Sequence, residues 1–177
     1  MPTAQSISAE EIHTAIESLA KALSARHPPN DKLLLLGIAN GGVLLAQRLA
    51  ALIPHSSAGT VDISFHRDDI GRHPIPKEFA PTHIPADVNG ANVVLVDDVL
   101  FSGRTVKAAL DELFDHGRPA KVELAILVDR GGRRLPISAD YCGLTLKATD
   151  RQKITVTLDA AQPSRDSIRL ERATESS

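Results

Sequence analysis

Two adjacent carboxylates and a short run of hydroxyl-bearing residues are the part of the sequence best suited to chemistry. Asp97 and Asp98 directly follow the apolar run 93–96, and Ser-Gly-Arg-Thr at 102–105 then opens a predicted helix. Backbone N–H groups at a helix start, two hydroxyls and a glycine that permits close approach suit a phosphate monoester. Carboxylates accept hydrogen bonds from ribose hydroxyls and stabilise positive charge that develops at C1. The pattern therefore indicates a site for a 5-phosphorylated ribose.

Two further turns fall where strands are predicted to end. Asp129 and Arg130 follow the apolar run 122–128, and Asn40-Gly41-Gly42 follows the apolar run 33–38. Ligands of open α/β sheets bind at the carboxyl edge of the strands, so both turns are candidate parts of the same site. Simpler interpretations are a helix cap for the paired carboxylates, a plain surface turn for Arg130, and a turn that needs only glycine geometry.

Alternating apolar strands and amphipathic helices must position these residues. Ser8 and Glu11 have capping-box spacing, and apolar residues then recur at helical intervals, which predicts a helix over 9–26. Short, continuously apolar runs predict strands that are buried on both faces, which gives an α/β fold with a mostly parallel central sheet flanked by helices. The predicted strands are 33–38, 93–96 and 122–128, with weaker candidates at 61–65, 154–158 and 167–170; the other predicted helices are 44–53 and 106–115, the latter with Leu110, Leu113 and Phe114 facing inward.

Length and composition bound the class of protein. The chain has 177 residues, 20 Lys and Arg against 22 Asp and Glu, four Phe, one Tyr and no Trp. This length predicts one domain over 1–177, and the charge balance argues against binding nucleic acid or membranes through bulk positive charge. Cys142 has no partner cysteine and is expected to be a small buried side chain. With no secretory signal and no membrane span in the sequence, we expect a cytoplasmic protein, with a frayed tail over 172–177.

The stretch VVLVDDVLFSGRT at 93–105 resembles the phosphoribosyl-pyrophosphate (PRPP) signature of the type I phosphoribosyltransferases. Further segments make the chain similar to the PyrR family, uracil phosphoribosyltransferases that also regulate transcription of pyrimidine operons. The resemblance implies the type I phosphoribosyltransferase fold, with a flexible hood over about 61–90, and a protein that associates into homo-oligomers. The segments that carry it are 66–70, 116–120, 124–131 and 135–143.

In that family uracil displaces pyrophosphate from C1 of PRPP to give UMP, with Mg²⁺ carrying the diphosphate. The resemblance implies that Asp97 and Asp98 are the catalytic carboxylates. It also implies that the whole signature loop binds PRPP or UMP. The residues of that loop are Asp97, Asp98, Val99, Leu100, Phe101, Ser102, Gly103, Arg104 and Thr105.

The resemblance assigns roles to residues outside the signature as well. Asn40 and Gly41, at the β–α turn, are expected to bind pyrophosphate, and Lys77, Arg67 and Arg72 are the hood residues expected to bring cations to it. After the third apolar strand, Arg130 is expected to bind the base or the diphosphate, and Asp129 is the candidate contact for Mg²⁺. Ile154 is expected to line the base pocket.

The sequence departs from the PyrR pattern at two places. The turn at 39–41 lacks the family's two cationic residues, and its Gly-Gly resembles the turn of purine phosphoribosyltransferases. Positions where the RNA-binding members carry Thr, His and Arg hold Glu17, Lys21 and Ser138, which argues against binding a leader RNA. Two alternatives therefore stand beside the uracil enzyme: a non-catalytic regulator that senses UMP or PRPP and binds RNA, or an enzyme for another nucleobase. A modest basic cluster of Lys121, Arg133 and Arg134 is the remaining candidate RNA contact.

Overall fold

The computed structural model describes residues 5–66 and 81–173, which contain eight strands and three α-helices. A short 3₁₀ turn at Pro163–Arg165 precedes the last strand. Over those ranges, no helix is both long and apolar enough to cross a bilayer. The strands are β1 Gln5–Ile7, β2 Leu33–Ile38, β3 Ser56–Val61, β4 Asn92–Leu100, β5 Lys121–Asp129, β6 Tyr141–Thr145, β7 Gln152–Thr157 and β8 Ser167–Arg172, and the helices are α1 Ala9–Arg26, α2 Val43–Leu52 and α3 Arg104–Asp115.

Five parallel strands form the central sheet in the order β3-β2-β4-β5-β6. Helices α1 and α2 pack on one face, against side chains that include Leu35 and Val94. Helix α3 covers the other face, where Leu36 and Leu95 lie in its core. Because both faces are covered, the inner strands are apolar at consecutive positions rather than at alternate ones. The predicted α/β fold with a mostly parallel sheet is confirmed.

Helix α1 has the bounds and the cap that the sequence predicts. The Ser8 hydroxyl accepts a hydrogen bond from the Glu11 N–H at 3.3 Å, and the Glu11 carboxylate accepts one from the Ser8 N–H at 3.0 Å. These two bonds satisfy backbone donors that a helix start leaves without partners. The apolar stripe of the helix then packs on the sheet through Ile12, Ile16, Leu19 and Leu23.

A second, antiparallel sheet joins the two ends of the described chain in the order β1-β8-β7. Gln5 of β1 pairs with Leu170 of β8. Directly before β8, the inaccessible carboxylate of Asp166 forms a two-pronged ion pair with Arg48 of α2, in which Nη2 lies 3.1 Å from Oδ1. The Nε2 atom of His13 on α1 lies 3.1 Å from the same carboxylate. These bonds fix the small sheet to the helices on one face of the large one.

The edge strand β3 does not lie where the weak pattern at 61–65 predicts it. It occupies Ser56–Val61 and pairs with β2 along its whole length. Its sequence lacks an apolar run because one side is covered by backbone: a Cβ on Gly59 would lie 2.4 Å from the carbonyl oxygen of His83. The prediction for 61–65 is therefore wrong.

Three smaller predictions are also wrong. Phe114 on α3 is 42% exposed rather than directed inward, and the Arg118 guanidinium lies over its ring, 5.6 Å from the ring centre. Cys142 is exposed because it alternates on β6 with the buried Tyr141, and neighbouring strand residues face opposite ways. The predicted tail begins too early, because Arg172 still belongs to β8; residues 174–177 lie outside the described ranges.

The described ends of the predicted hood meet beside β3. Thr60 and His83 form an antiparallel bridge with two N–H···O bonds of 2.8 Å. The Asp62 N–H donates to the Thr82 hydroxyl at 2.9 Å. The chain that leaves β3 and the chain that returns to β4 are therefore hydrogen-bonded to each other at the edge of the large sheet.

Candidate functional site

The centre of the sheet offers an open edge at its carboxyl end. Strand β4 is longer than predicted and reaches Leu100, so the paired carboxylates belong to the strand itself. Its pairing with β2 ends at Gly37 and Val96, whereas its pairing with β5 continues to Leu100 and Asp129. The last residues of β4 therefore have a strand on one side only, which leaves room for a ligand above β2.

Asp97 and Asp98 lie in unequal environments. Asp97 is 6% exposed, whereas Asp98 is partly exposed. Burial, and then the charge of Asp98, raises the pKa of Asp97 well above its usual range, although the Asp98 N–H donates to its Oδ1 at 2.9 Å. Asp98 Oδ1 accepts a hydrogen bond from the Val99 N–H at 2.8 Å. The accessible carboxylate at this edge is thus Asp98.

The glycine turn after β2 lies directly against β4. A Cβ on Gly41 would lie 2.6 Å from the carboxylate of Asp98, and one on Gly42 would lie 2.0 Å from the Val96 carbonyl oxygen. The peptide bond between Ala39 and Asn40 is cis. Only glycine allows this close approach, so the structure brings together the predicted pyrophosphate turn and the predicted ribose-binding carboxylate.

The signature loop ends in a helix start of the kind that binds anions. Gly103 has φ of 94°, in the left-handed region, and α3 begins at the next residue. The Ser102 hydroxyl accepts a hydrogen bond from the Arg104 N–H at 3.2 Å. Arg104 and Thr105, in the first turn, are both exposed. Backbone donors, two hydroxyls and the positive end of the helix dipole therefore meet at one point.

A supporting loop at 130–137 holds the signature loop in place, a role that the sequence did not predict for it. The Ser102 carbonyl accepts hydrogen bonds from the N–H groups of Arg134 at 2.9 Å and Leu135 at 3.1 Å. Arg133 donates to the carbonyls of Phe101 at 3.0 Å and Ile137 at 2.8 Å. The signal available in the sequence was the run Arg-Gly-Gly-Arg-Arg after β5, but its targets are backbone atoms, which a sequence does not display.

Arg130 is directed into the protein. Its guanidinium lies 3.8 Å from the ring centre of Phe101 and donates to the carbonyls of Thr149 at 3.0 Å and Gln152 at 3.3 Å. The Nε of Arg130 is buried and has no hydrogen-bond partner among the described residues. Phe101 itself is 38% exposed, so the stacked pair forms part of the wall beside the signature loop.

Two other predicted site residues, Asp129 and Ile154, make contacts within the protein itself. Asp129 Oδ2 pairs with Arg133 at 2.6 Å, and its Oδ1 accepts the Gly131 N–H at 2.9 Å. Burial acts to raise the pKa of Asp129, but these bonds outweigh it and hold the pKa below its usual value. Ile154, on β7, is 6% exposed in the core with α1, which leaves little of its side chain to contact a base.

The remaining cationic candidates divide into two groups. Arg67, Arg72 and Lys77, the predicted hood cations, lie outside the described residues. Lys121 pairs with Glu123 at 2.7 Å at the start of β5, whereas Arg134, 58% exposed, follows the end of that strand. Because a strand rises about 3.3 Å per residue, the nine residues of β5 separate them by nearly the height of the sheet. Lys121, Arg133 and Arg134 therefore do not form one basic cluster.

Comparisons with known proteins identify the family of this chain. The family model described as "Phosphoribosyl transferase domain" matches residues 8–161. A "Bifunctional protein PyrR" of Streptomyces coelicolor is 46% identical over 166 residues, which cover 90% of this chain and 85% of the relative. The chain belongs to the phosphoribosyltransferase family, within its PyrR group. A second "Bifunctional protein PyrR", from a Roseiflexus species, is 40% identical and is matched over 98% of this chain and 97% of its own length.

Solved structures show the same fold in more distant phosphoribosyltransferases. A hypoxanthine-guanine phosphoribosyltransferase of Bacillus anthracis superposes with a TM-score of 0.67 at 19% identity, over 94% of this chain and 96% of that one. A hypoxanthine phosphoribosyl transferase of Trypanosoma cruzi gives 0.67 at 21% identity, over 97% and 91%. The predicted type I phosphoribosyltransferase fold is thereby confirmed.

Proposed function

We propose that this protein is a uracil phosphoribosyltransferase of the cytoplasm, which transfers the phosphoribosyl group of PRPP to uracil and releases pyrophosphate. The observation that carries the proposal is the convergence of Asp98, the Gly41 turn and the start of α3 at the open edge of β4. An anion-binding helix start beside an accessible carboxylate suits a phosphorylated sugar. The similarity to the PyrR relatives supports a pyrimidine as the acceptor.

Different residues of the chain bind different parts of the substrate. In this proposal the 5-phosphate is bound by backbone N–H groups in the first turn of α3 and by the hydroxyls of Ser102 and Thr105. Asp98 accepts hydrogen bonds from the ribose hydroxyls. As the bond from C1 to the diphosphate oxygen breaks and the bond to the base nitrogen forms, positive charge develops on the ribose, and the carboxylate stabilises that charge. The exposed backbone of the Gly41 turn lies where the diphosphate leaves.

The donor set at this edge fits Mg²⁺ chiefly through the substrate. Mg²⁺ prefers oxygen ligands and is commonly held by one or two carboxylates together with substrate phosphates. Both oxygens of Asp129 already accept hydrogen bonds, one of them from a guanidinium. We therefore assign Asp129 an outer role, and the diphosphate supplies most of the ligands to Mg²⁺. The ion would neutralise charge on the leaving diphosphate.

The test is Mg²⁺-dependent formation of UMP from uracil and PRPP, with Asp98→Asn as the diagnostic variant. We expect the variant to keep the melting temperature of the wild type and to lose about 100-fold in kcat, because the amide carries no charge to stabilise C1. Glu17→Gln, an exposed change on α1, is the matched control and should turn over normally. Wild-type turnover by Asp98→Asn would remove this role, and absence of turnover with any base would overturn the proposal.

A second acceptor is favoured by one observation, the glycine turn that replaces cationic residues at 39–41. With Gly41 against Asp98 and Gly42 against β4, this turn offers backbone rather than side chains to the diphosphate. The Gly-Gly sequence of this turn resembles that of the purine phosphoribosyltransferases. Assaying hypoxanthine and guanine beside uracil decides the acceptor, since the preferred base is the one with the highest kcat/KM.

Regulation through RNA is the other half of the function that the PyrR resemblance implies. The basic side chains that could contact RNA are separated and paired with acids: Lys121 with Glu123 at 2.7 Å and Arg134 with Asp150 at 3.9 Å. A dispersed set of this kind offers few phosphate contacts. We therefore propose catalysis as the primary function. A gel shift with a pyrimidine-operon leader RNA, with and without UMP, separates the two, because a regulator would shift this RNA at protein concentrations that leave an unrelated RNA unshifted.

A further inference from the structure

Three side chains on the outer side of α3 gather at one point away from the signature loop. One ligand atom from each of His66, Glu112 and Asp115 lies within 4.8 Å of the others. The Nε2 atom of His66 is 3.0 Å from Glu112 Oε2 and 3.1 Å from Asp115 Oδ2. Glu112 and Asp115 are three residues apart on one helix, so they face the same way. His66 approaches them from the described end of the chain that leaves β3.

We propose that His66, Glu112 and Asp115 form a binding site for a divalent transition metal ion, with Zn²⁺ as the best fit. Tetrahedral Zn²⁺ with ligands at about 2.0–2.1 Å sets those ligands roughly 3.3–3.4 Å apart. The two measured separations from the imidazole are within a few tenths of an ångström of that value, so small side-chain movements would admit the ion. One imidazole with two carboxylates suits Zn²⁺, whereas Mg²⁺ favours an all-oxygen set.

The surroundings of Glu112 strengthen this assignment. Its second oxygen, Oε1, accepts a hydrogen bond from the Thr82 hydroxyl at 2.8 Å and lies 3.1 Å from His116 Nε2. Outer partners of this kind orient a ligating carboxylate and raise metal affinity. The side chains of Glu112 and His66 are 15% and 24% exposed, and that of Asp115 is 67% exposed. The site is thus held on its inner side and open to water on its outer side, as entry of an ion requires.

The position of the site gives the metal a structural consequence. His66 and Thr82 flank the part of the predicted hood that lies outside the described residues, and both contact Glu112. An ion there would join the two described ends of the hood to α3, whose first turn belongs to the phosphate site. Its ligands are separate from Asp97, Asp98 and Asp129, so it is independent of the Mg²⁺ that accompanies PRPP.

The experiment uses the full chain, freed of metal by a chelator and held without PRPP or Mg²⁺. Zn²⁺ is titrated by calorimetry, and Co²⁺ is added in a parallel sample to record its visible absorption. We expect one Zn²⁺ per chain and the intense Co²⁺ bands of a four-coordinate site. His66→Ala and Glu112→Gln should each weaken Zn²⁺ binding by at least about tenfold. His83→Ala, which removes an exposed imidazole from the same region, should bind as the wild type does.

Two results would overturn the assignment. The first is a wild type that takes up no Zn²⁺ at millimolar concentration, which would show that the cluster is held by hydrogen bonds alone. The second is equal Zn²⁺ affinity in the wild type, His66→Ala and Glu112→Gln, which would place the ion elsewhere. Circular dichroism of each metal-free variant establishes that it is folded, and Asp115→Asn, the most exposed ligand, provides a third variant with the least effect on packing.

Discussion

At the scale of single residues, the neighbouring carboxylates of β4 lie in different environments because only one of them is buried. The two side chains are close enough for the charge of Asp98 to raise the pKa of Asp97, but only Asp97 is buried. Asp98 is the accessible member and lies against the glycine turn. Asp97 is 6% exposed beside a second acid, an arrangement that costs folding free energy. A buried acid that costs stability in this way is typical of a functional site, in line with the role that we propose for this edge.

The Asp97→Asn variant should be more stable than the wild type, and this difference should grow as pH rises. The raised pKa of Asp97, caused first by burial and then by Asp98, means that the folded chain retains a proton that the unfolded chain loses near pH 3.9. Wild-type stability therefore falls as pH rises through the folded pKa. The melting temperature of Asp97→Asn should match that of the wild type near pH 4 and exceed it near pH 8, by about 2–4 °C for each kcal/mol relieved.

Thermal unfolding across pH 4–8 measures this difference directly. Glu17→Gln, an exposed change, should show no such pH-dependent gain. A difference between Asp97→Asn and wild type that stays constant over the whole range would contradict the burial argument.

At the scale of elements, the signature loop depends on the supporting loop at 130–137. Arg133→Leu should lower the free energy of unfolding by about 2 kcal/mol, because carbonyls at 100, 101 and 137 and the Asp129 carboxylate lose a charged donor. It should also raise KM for PRPP, since the loop at 102–105 loses its fixed position. Chemical unfolding together with steady-state kinetics measures both effects.

The adjacent arginine supplies the control for that experiment. Arg134 is 58% exposed and, among the described residues, has one ion-pair contact, at 3.9 Å to Asp150, so Arg134→Leu should change stability by less than about 0.5 kcal/mol. Its backbone N–H, which bonds Ser102, is unaffected by the substitution. Equal losses in the two variants would show that overall positive charge, rather than the contacts of Arg133, supports the loop.

The same elements show what the sequence could predict. The bounds of helix α1 were predicted correctly because the two residues of its capping box, Ser8 and Glu11, are close together in the sequence. The inner strands were predicted because burial on both faces leaves an apolar run. Strand β3 was misplaced because Gly59 packs against the backbone at His83, a contact between distant parts of the chain. The role of Arg133 was missed for the same reason, since its targets are carbonyl groups brought near by folding.

At the scale of the whole molecule, the Arg48–Asp166 ion pair joins the small sheet to helix α2 on one face of the large sheet. Burial acts to raise the pKa of Asp166, but bonds from Arg48 and from the Asp159 N–H outweigh it and lower the pKa. Asp166→Asn should therefore destabilise the fold by about 2–3 kcal/mol at neutral pH, since it removes the charge that neutralises the partly buried Arg48 guanidinium, although that group keeps its bond to the Asp159 carbonyl. This stabilisation is present above the unfolded pKa of about 3.9 and is lost as pH falls through the lowered folded pKa.

A double-mutant cycle in urea with Arg48→Met and Asp166→Asn measures the pair itself. The double variant should be more stable than the sum of the single losses predicts, because it leaves no unpaired charge. The exposed Arg134–Asp150 pair is the reference and should show a coupling below about 1 kcal/mol. Additive losses at Arg48 and Asp166 would mean that the two act separately.

The pairing of the first strand with the last has a consequence for the order in which the molecule is completed. In the small sheet, β1 has β8 as its neighbour, and Asp166 directly precedes β8. During synthesis, α2 therefore leaves the ribosome long before the carboxylate that neutralises Arg48. The central sheet can assemble early, but the face that carries α1 and α2 is not fully covered until β8 has been synthesised. A nascent chain that stops short of β8 would leave Arg48 without its carboxylate partner and the apolar side of α1 without Ile168.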